Sequence, residues 1–305
     1  TVLDYLRIEQ RHKGTKEGCN EGDCGACTVA IGRLRGGKLV YEPANACIML
    51  MGHLHGCELV TVDDLSLGDR LHPVQQAMVD HHGSQCGYCT PGFVMSLFTL
   101  YHAGGEPSRQ QIVDQLAGNL CRCTGYRPIV TAAKDACTGK PADLWSESGR
   151  EIAAELGKLR DGEDVFCGTS ESFVAIPASG ATLLSIAAKH PDATIVAGAT
   201  DVGLWITKQM RALPKLIFTG AVEELHAISD RVATLSLGSA VTYAAAQEKL
   251  ASIAPDMGEV LRRIGSKQVR SSGTIGGNIA NGSPIGDMPP MLIALGTRIA
   301  LRKGD

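Results

Sequence analysis

At 305 residues the chain exceeds one average domain, so two or three domains are expected. Apolar residues make up 44%, enough for ordinary hydrophobic cores, and a net charge of −3 gives no electrostatic footprint for nucleic acid or an anionic membrane. No apolar run reaches the roughly 18–20 residues that span a bilayer, and no signal peptide is legible, so a soluble, cytoplasmic chain is expected.

Val2, Leu3 and Leu6 open the chain on helical spacing, with Thr1 read as lying inside that helix. At the other end, Arg298-Ile-Ala-Leu-Arg302 alternates like a strand. Both ends therefore read as truncated elements, with segments expected beyond them. Eleven cysteines need a reason in a chain with no export signal, because disulfides belong to oxidising compartments. Nine of them precede Thr124. The composition thus divides into a cysteine-rich N-terminal half and a glycine-rich C-terminal half.

Cys19, Cys24 and Cys27 form C-x4-C-x2-C, and Cys47 supplies a distant fourth thiolate. This is the plant-type spacing for a [2Fe–2S] cluster. Four thiolates must wrap a compact anionic cluster while backbone N–H groups point at its sulfurs, and Gly18, Gly22 and Gly25 permit that wrap. Thr28-Val-Ala-Ile31 then reads as a strand. The competing zinc site is atypical here, since zinc pairs usually read C-x2-4-C twice.

Cys86 and Cys89 form a second pair, C-x2-C, and Cys121 and Cys123 a third, C-x-C. Taken alone, each pair would suit zinc equally well. The surroundings are helical: Leu71, Val74, Met78 and His81 recur at helical spacing, and Thr90-Pro91 reads as an N-cap with proline at the first helical position. Ser108 and Gln111 make a capping box, and Pro128 opens a fourth helix over Ile129–Ala136. A four-helix arrangement is expected, with both cysteine pairs in interhelical turns. Cys57, Cys137 and Cys167 fit neither set and read as small buried hydrophobes. For His53, His55, His81 and His82, surface or packing roles outweigh a metal-ligand reading.

Thr138 to Ser170 turns polar and reads as a linker with a short helix over Glu151–Leu159. Strands are expected at Phe173–Ile176, Thr194–Ala197, Lys215–Phe218 and Val232–Leu237. Helices are expected at Ala181–Lys189, Thr242–Leu250 and Gly258–Ile264. Ile195-Val-Ala-Gly-Ala-Thr-Asp-Val202 leaves a strand through a glycine, and Ser272-Gly-Thr-Ile-Gly-Gly-Asn-Ile-Ala-Asn-Gly-Ser283 is rich in small residues. Both are suited to backbone contact with phosphate. Neither is a Rossmann or Walker loop, and on composition alone a turn remains the commoner reading.

Glu17-Gly-Cys-Asn-Glu-Gly-Asp-Cys-Gly-Ala-Cys27, Gln85-Cys-Gly-Tyr-Cys-Thr-Pro-Gly92 and Asn119-Leu-Cys-Arg-Cys-Thr-Gly-Tyr126 resemble the iron–sulfur segments of the molybdenum hydroxylase family. The two glycine-rich loops resemble that family's FAD domain, together with Ile264-Gly-Ser-Lys-Gln-Val-Arg270 and Ser283-Pro-Ile-Gly-Asp287. The resemblance implies a multidomain α+β chain. Its parts would be a ferredoxin-like [2Fe–2S] domain over residues 1–60, a four-helix [2Fe–2S] domain over 61–140, a linker over 141–170 and an α/β FAD-binding domain over 171–305. It implies Cys19, Cys24, Cys27 and Cys47 as one ligand set and Cys86, Cys89, Cys121 and Cys123 as the other, with Gln85 and Cys123 near the molybdopterin of a partner.

It further implies Ile195, Val196, Ala197, Gly198, Ala199, Thr200, Asp201 and Val202 as one wall of the FAD cradle. Thr274, Ile275, Gly276, Gly277 and Asn278 would form the other, with Ile264 along the flavin and Asp287 accepting hydrogen bonds from it. Ala199 stands where the family often has Asn. No room remains for a molybdopterin domain, so a molybdopterin-binding large subunit is expected, in a dimer of heterodimers, with no nucleic acid and no membrane. The implied role is electron transfer from that subunit's purine oxidation (hypoxanthine and xanthine to urate) through two [2Fe–2S] clusters to FAD and on to NAD. The alternatives are the same role beside an aldehyde- or N-heterocycle-oxidising subunit, a non-enzymatic iron–sulfur carrier, and a zinc-stapled binding module. No catalytic acid or base is expected in this chain.

Overall fold

The computed structural model describes residues 1–66, 68–231 and 234–304. It divides into two compact units: Thr1–Asp161 with Gly265–Val269, and Gly162–Ile264 with Arg270–Asp305. No helix among the described residues is long and apolar enough to cross a membrane.

The first unit begins with α1 (Val2–Asp4), which continues as a π turn over Tyr5–Glu9. Thr1 caps this helix rather than standing inside it: its Oγ1 accepts from Asp4 N at 3.2 Å. Strands β1 (Thr28–Arg35), β2 (Lys38–Asn45) and β3 (Glu58–Val60) form an antiparallel sheet in the order β2-β1-β3. Four helices follow: α2 (Pro73–Asp80), α3 (Thr90–Ala103), α4 (Arg109–Leu116) and α5 (Arg127–Ala136). The capping box of Ser108 and Gln111 forms as expected. Thr90 does not cap α3, however. Its hydroxyl lies 2.7 Å from Ser84 Oγ, and Cys89 takes the N-cap position without a side-chain bond.

Helix α3 is buried on nearly every face, with Phe93, Val94, Met95, Leu97 and Phe98 all inside. A helix of that kind must be covered all round. The sheet covers one side and the other helices cover the rest, so sheet and helices share one continuous core that also takes in Tyr41, Val60, Ile112, Ile129 and Trp145. The stretch read as a linker contributes to it. Helices α6 (Leu144–Glu147) and α7 (Gly149–Leu159) belong to this unit, because Trp145 and Ile152 carry apolar bulk into the core.

A buried polar knot holds α6 in place. Val74 N donates to His72 Nδ1 at 3.2 Å, so in the neutral ring Nε2 carries the proton and donates to Asp143 Oδ2 at 2.7 Å. His102 Nε2 meets the same oxygen at 2.9 Å, and Ser146 N donates to Oδ1 at 2.8 Å. Burial alone would raise the Asp143 carboxyl pKa, but the bonds from His102, His72 and Ser146 outweigh it and hold it well below the usual carboxylate range. A depressed folded-state pKa contributes stability above the unfolded value, near 3.9, and that stability is lost as the pH falls through the folded value. Asp143→Asn is therefore expected to destabilise the unit by about 2–3 kcal/mol at neutral pH. It should also flatten the acid limb of its unfolding profile. Calorimetry of the intact chain from neutral pH down to pH 3 reads both effects, and an unchanged acid limb would refute the assignment.

In the second unit, β4 (Val165–Gly168), β5 (Phe173–Ile176), β6 (Thr194–Val196) and β7 (Lys215–Phe218) form a sheet in the order β4-β5-β7-β6. Strand β4 is antiparallel to β5, while β5 and β6 both run parallel to β7. Helix α8 (Gly180–Lys189) connects β5 to β6, and α9 (Val202–Thr207) follows β6. Strands β8 (Ile228–Arg231) and β9 (Thr234–Leu237) pair antiparallel. The strand expected at Val232–Leu237 thus has its first two positions outside the described residues. Helices α10 (Tyr243–Ile253), α11 (Pro255–Arg263), α12 (Lys267–Ser272), α13 (Ile275–Asn281) and α14 (Met288–Ala294) complete the chain. Val241, Leu250, Leu261, Ile275, Met288 and Leu292 form the core of this helical part. Arg298–Arg302 is irregular. Its alternation finds no partner strand among the described residues, and a strand without a ladder leaves its backbone bonds unmade.

Candidate functional site

All eleven cysteines are free thiols, and eight of them gather into two sets within the first unit. In the loop before β1, Cys19 N donates to Cys24 Sγ and Cys24 N to Cys19 Sγ, both at 3.3 Å. Burial pushes the Cys19 thiol up, but amides of Cys24, Glu21 and Asp23 outweigh it and draw its pKa down. Cys27 and Cys47 are both buried. The Cys47 thiol is raised by its hydrogen bond with Cys27 and by burial, while Gly22 N–H bonds to it in the opposite sense. Asn45 braces the loop by donating to Gly22 O at 2.7 Å. Amides converging on sulfur are what a thiolate-bound anionic cluster requires.

The second set lies in the turns flanking α3 and α5. Cys86 and Cys123 are hydrogen-bonded to each other, and the amide of Tyr88 lowers the Cys86 pKa. Burial, with the bond to Cys121, pushes the Cys89 thiol up to about 12. Cys121 Sγ lies 3.2 Å from Thr124 Oγ1, and Tyr126 OH accepts from Cys121 N at 3.0 Å. Cys86 and Cys123 are exposed, whereas Cys121 is buried, so one edge of this set faces out and the other faces the protein. The inner edge touches the first set's loop, for Leu120 N donates to Cys24 O at 2.9 Å. Gly25 sits at that seam with φ +69°, and a Cβ there would fall 2.1 Å from Gly118 O. The remaining cysteines lie outside both sets. Cys57 accepts from Arg33, Cys137 is buried with Sγ 3.6 Å from Leu97 O, and Cys167 is on β4.

Helices α4 and α5 flank a groove of about 820 Å³ that the Gly125–Tyr126 turn also lines. Arg109, Arg127 and Lys134 line it together with Ile112, Val113 and Tyr126. No acidic residue lines it.

In the second unit the two glycine-rich segments are packed against each other. Ile195 and Val196 end β6 and Ala197 follows. Gly198, Ala199, Thr200 and Asp201 make the turn, and Val202 opens α9. A Cβ on Gly198 would lie 2.0 Å from Ser272 O. Ala199 holds φ +56°, a conformation that Asn tolerates better than most residues. The other segment is a helix start rather than the open loop expected. Thr274 caps α13, and its Oγ1 accepts from Gly277 N at 3.0 Å. The remaining amides there are also committed, Ile275 N to Val241 O, Gly276 N to Ser239 O and Asn278 N to Thr274 O.

That leaves the Gly198–Thr200 turn, whose amides have no protein acceptor among the described residues, as the stretch able to receive a phosphate. It stands at the carboxyl end of a parallel strand, where ligands of such sheets bind. Asn278 Oδ1 accepts from Met288 N at 3.2 Å, which fixes the turn carrying Asp287, the N-cap residue of α14. Burial raises the Asp201 pKa. The Tyr243 hydroxyl is raised by burial and by the charges of Asp201 and Asp287, so these three groups converge. Ile264, expected along the flavin, ends α11 within the helical core and is 9% exposed.

Residues 61–134 match the family described as "[2Fe-2S] binding domain", and residues 169–305 match "FAD binding domain in molybdopterin dehydrogenase". The chain is 35% identical to xanthine dehydrogenase of Drosophila pseudoobscura pseudoobscura, over 98% of its own length and 26% of the relative's. It is 34% identical to xanthine dehydrogenase/oxidase of Mus musculus, over 99% of the chain and 26% of that protein. The chain belongs to the molybdenum hydroxylase family. Aldehyde oxidase 1 of Cavia porcellus is 33% identical over 96% of the chain and 26% of its own length. The chain therefore spans about a quarter of the length of these relatives and corresponds to the iron–sulfur and FAD region of the molybdenum hydroxylases.

Both thiolate sets fit an iron–sulfur cluster by donor chemistry, four sulfurs with converging amides. The Gly198–Thr200 turn fits a phosphate by its uncommitted amides. Reading the sequence missed Asn119, Tyr243 and the His72–Asp143–His102 knot. Asn119 stood inside a quoted motif as a polar residue two positions before a cysteine, and that was its only signal.

Proposed function

We propose that this chain is the electron-transfer subunit of a xanthine dehydrogenase. It would carry electrons from the molybdenum centre of a large partner subunit through two [2Fe–2S] clusters to FAD and on to NAD. The observation carrying this reading is the pairing of two four-sulfur sets, joined by the Leu120–Cys24 bond, with a flavin fold on the same chain. Cys19, Cys24, Cys27 and Cys47 would hold one cluster, and Cys86, Cys89, Cys121 and Cys123 the other. When bound, the clusters supply one-electron steps and the flavin links these to a two-electron acceptor.

This chain's residues position and tune. The amides of Cys19, Cys24 and Gly22 stabilise sulfur charge in the first loop, and those of Tyr88 and Thr124 do so in the second. Gly198, Ala199 and Thr200 would receive the flavin's pyrophosphate, with Asp201 and Asp287 beside Tyr243 as acceptors for its hydroxyl and amide groups. The exposed thiols Cys86 and Cys123, with Gln85 next to them, would face the molybdopterin. The cationic, apolar groove along α4 and α5 supports docking of the partner on the first unit. A dimer of such heterodimers in the cytoplasm completes the proposal. Identity to aldehyde oxidase 1 keeps a second reading alive, in which the partner oxidises an aldehyde or N-heterocycle.

An anaerobic visible spectrum of the natively purified complex tests this. Xanthine is expected to bleach the cluster and flavin bands, and NAD⁺ to restore them. Bleaching by an aldehyde but not by xanthine would move the assignment to the second reading. Restoration by oxygen but not by NAD⁺ would remove the dehydrogenase reading.

A further inference from the structure

The segment Gly265–Val269 packs within the first unit although its sequence neighbours on both sides belong to the second. It is seated flush on Gly118, where a Cβ would meet Ser266 Cβ and Gln268 Oε1 at 2.3 Å. The effect is to bury Gln268 to 1% exposure beside Thr28, Ser96 and Asn119, which are 1%, 0% and 2% exposed. Gln268 Nε2 donates to Thr28 Oγ1 at 3.0 Å, Asn119 Oδ1 at 3.1 Å and Ser96 Oγ at 3.3 Å.

Proton accounting fixes which way this amide faces. The Ser96 hydroxyl donates to Asn119 Oδ1 at 2.6 Å, and the Thr28 hydroxyl to Gly25 O at 2.7 Å. Asn119 Nδ2 donates to Gly25 O at 3.1 Å and Thr28 Oγ1 at 3.2 Å. With those protons committed, the node presents only lone pairs to residue 268, and that residue must be a donor. The amide oxygen is left buried with no partner among the described residues, an arrangement that costs stability. An apolar side chain of the same volume would fill the space without that cost, so packing alone does not account for a glutamine.

Every member of the node is attached to a thiolate set. Thr28 follows Cys27, Gly25 follows Cys24, Ser96 lies on α3 behind Cys89, and Asn119 precedes Leu120, whose amide bonds to Cys24 O. We propose that Gln268 is a positioning residue for electron transfer between the two cluster sites. Its amide locks Asn119 against Gly25 and thereby holds the Leu120–Cys24 bond where the two ligand loops meet. This rests on the reading of the eight cysteines as cluster ligands.

The test uses the intact complex carrying Gln268→Met, which keeps volume and removes both donors, and Gln268→Leu, which removes them with a branched apolar side chain. A third variant, Ser96→Ala, removes the other donor to Asn119 Oδ1. Iron content, the magnetic splitting between the two reduced clusters by electron paramagnetic resonance, and hydrogen exchange at the Leu120 amide are measured in each. All three variants are expected to retain full iron while Leu120 exchange quickens roughly tenfold, the loss of about one net hydrogen bond, and the splitting changes. Full iron with wild-type exchange and splitting would overturn the proposal. So would loss of iron in all three variants, which would make the node a folding element. Absence of both cluster signals from the unaltered protein would instead overturn the ligand reading on which it rests.

Discussion

Replacing Cys121 with alanine is expected to lower bound iron from about four atoms per chain to about two, with flavin content unchanged. Three thiolates remain in that set, but Cys86 and Cys123 are exposed, so water has access to the incomplete site. Cys121 is the buried member, and its sulfur contacts Thr124 and Cys89. Its loss therefore opens the inner side as well. The first set keeps all four ligands and its own bracing through Asn45, so its two irons should stay. Leu120 lies next to residue 121 and bonds to Cys24 O, so the spectrum of the surviving cluster should broaden as that seam loosens. Iron analysis with paramagnetic resonance reads both effects. Cys57→Ala, Cys137→Ala and Cys167→Ala should each keep four irons. A Cys121→Ala chain that also kept four would sink the assignment of the second set.

The proposed ligands stood out where thiolate spacing is local, as in Cys19, Cys24 and Cys27 and in the pairs Cys86/Cys89 and Cys121/Cys123. The joining of the Cys86/Cys89 pair to the Cys121/Cys123 pair is not written locally, and neither is Cys47. Cys47 is brought in by the β1–β2 hairpin, whose register places Thr28 opposite Asn45, and no local pattern in the sequence specifies that pairing. Helix ends were legible where a capping box carried them, as at Ser108. They were misread at Thr90, whose hydroxyl had a competing partner in Ser84 only once the turn had folded. The stretch over 141–161 was read as linker because its composition is polar and charged. Trp145 alone brings enough apolar area to tie it down, and Asp143 becomes a buried anchor only by meeting two histidines far away in sequence. The Thr274–Asn278 segment was assigned to the FAD cradle by family resemblance, its small residues alone leaving a turn as the commoner reading. Small residues serve a tightly packed helix start equally well, and a Cβ on Gly276 would meet Ser239 Cβ and O at 2.5 Å.

That last distinction yields the second large effect. Gly198→Ala is expected to weaken flavin binding while leaving about four irons per chain. The added methyl would lie 2.0 Å from the Ser272 carbonyl oxygen and 2.9 Å from Gly273 Cα. Both are backbone atoms with no rotamer to change, so relief requires the β6–α9 turn to move away from the start of α13. Overpacking of this kind costs about 1–3 kcal/mol, against a gain of about 0.4–1 kcal/mol from stiffening the unfolded chain, so the clash prevails. If the strain falls on the bound state, flavin affinity drops by roughly one to two orders of magnitude.

Ala199→Gly is the matched control. It removes a Cβ from a residue at φ +56° and relieves about 1 kcal/mol of backbone strain. That roughly offsets the added freedom of the unfolded chain, so flavin should stay bound. Fluorescence of acid-released flavin, set against iron in the same sample, separates the cases. Gly198→Ala with full flavin and undiminished affinity would mean that the turn after β6 is not where the cofactor's phosphates sit. The small residues around Thr274 would then have to be reconsidered as the cradle, despite their committed amides.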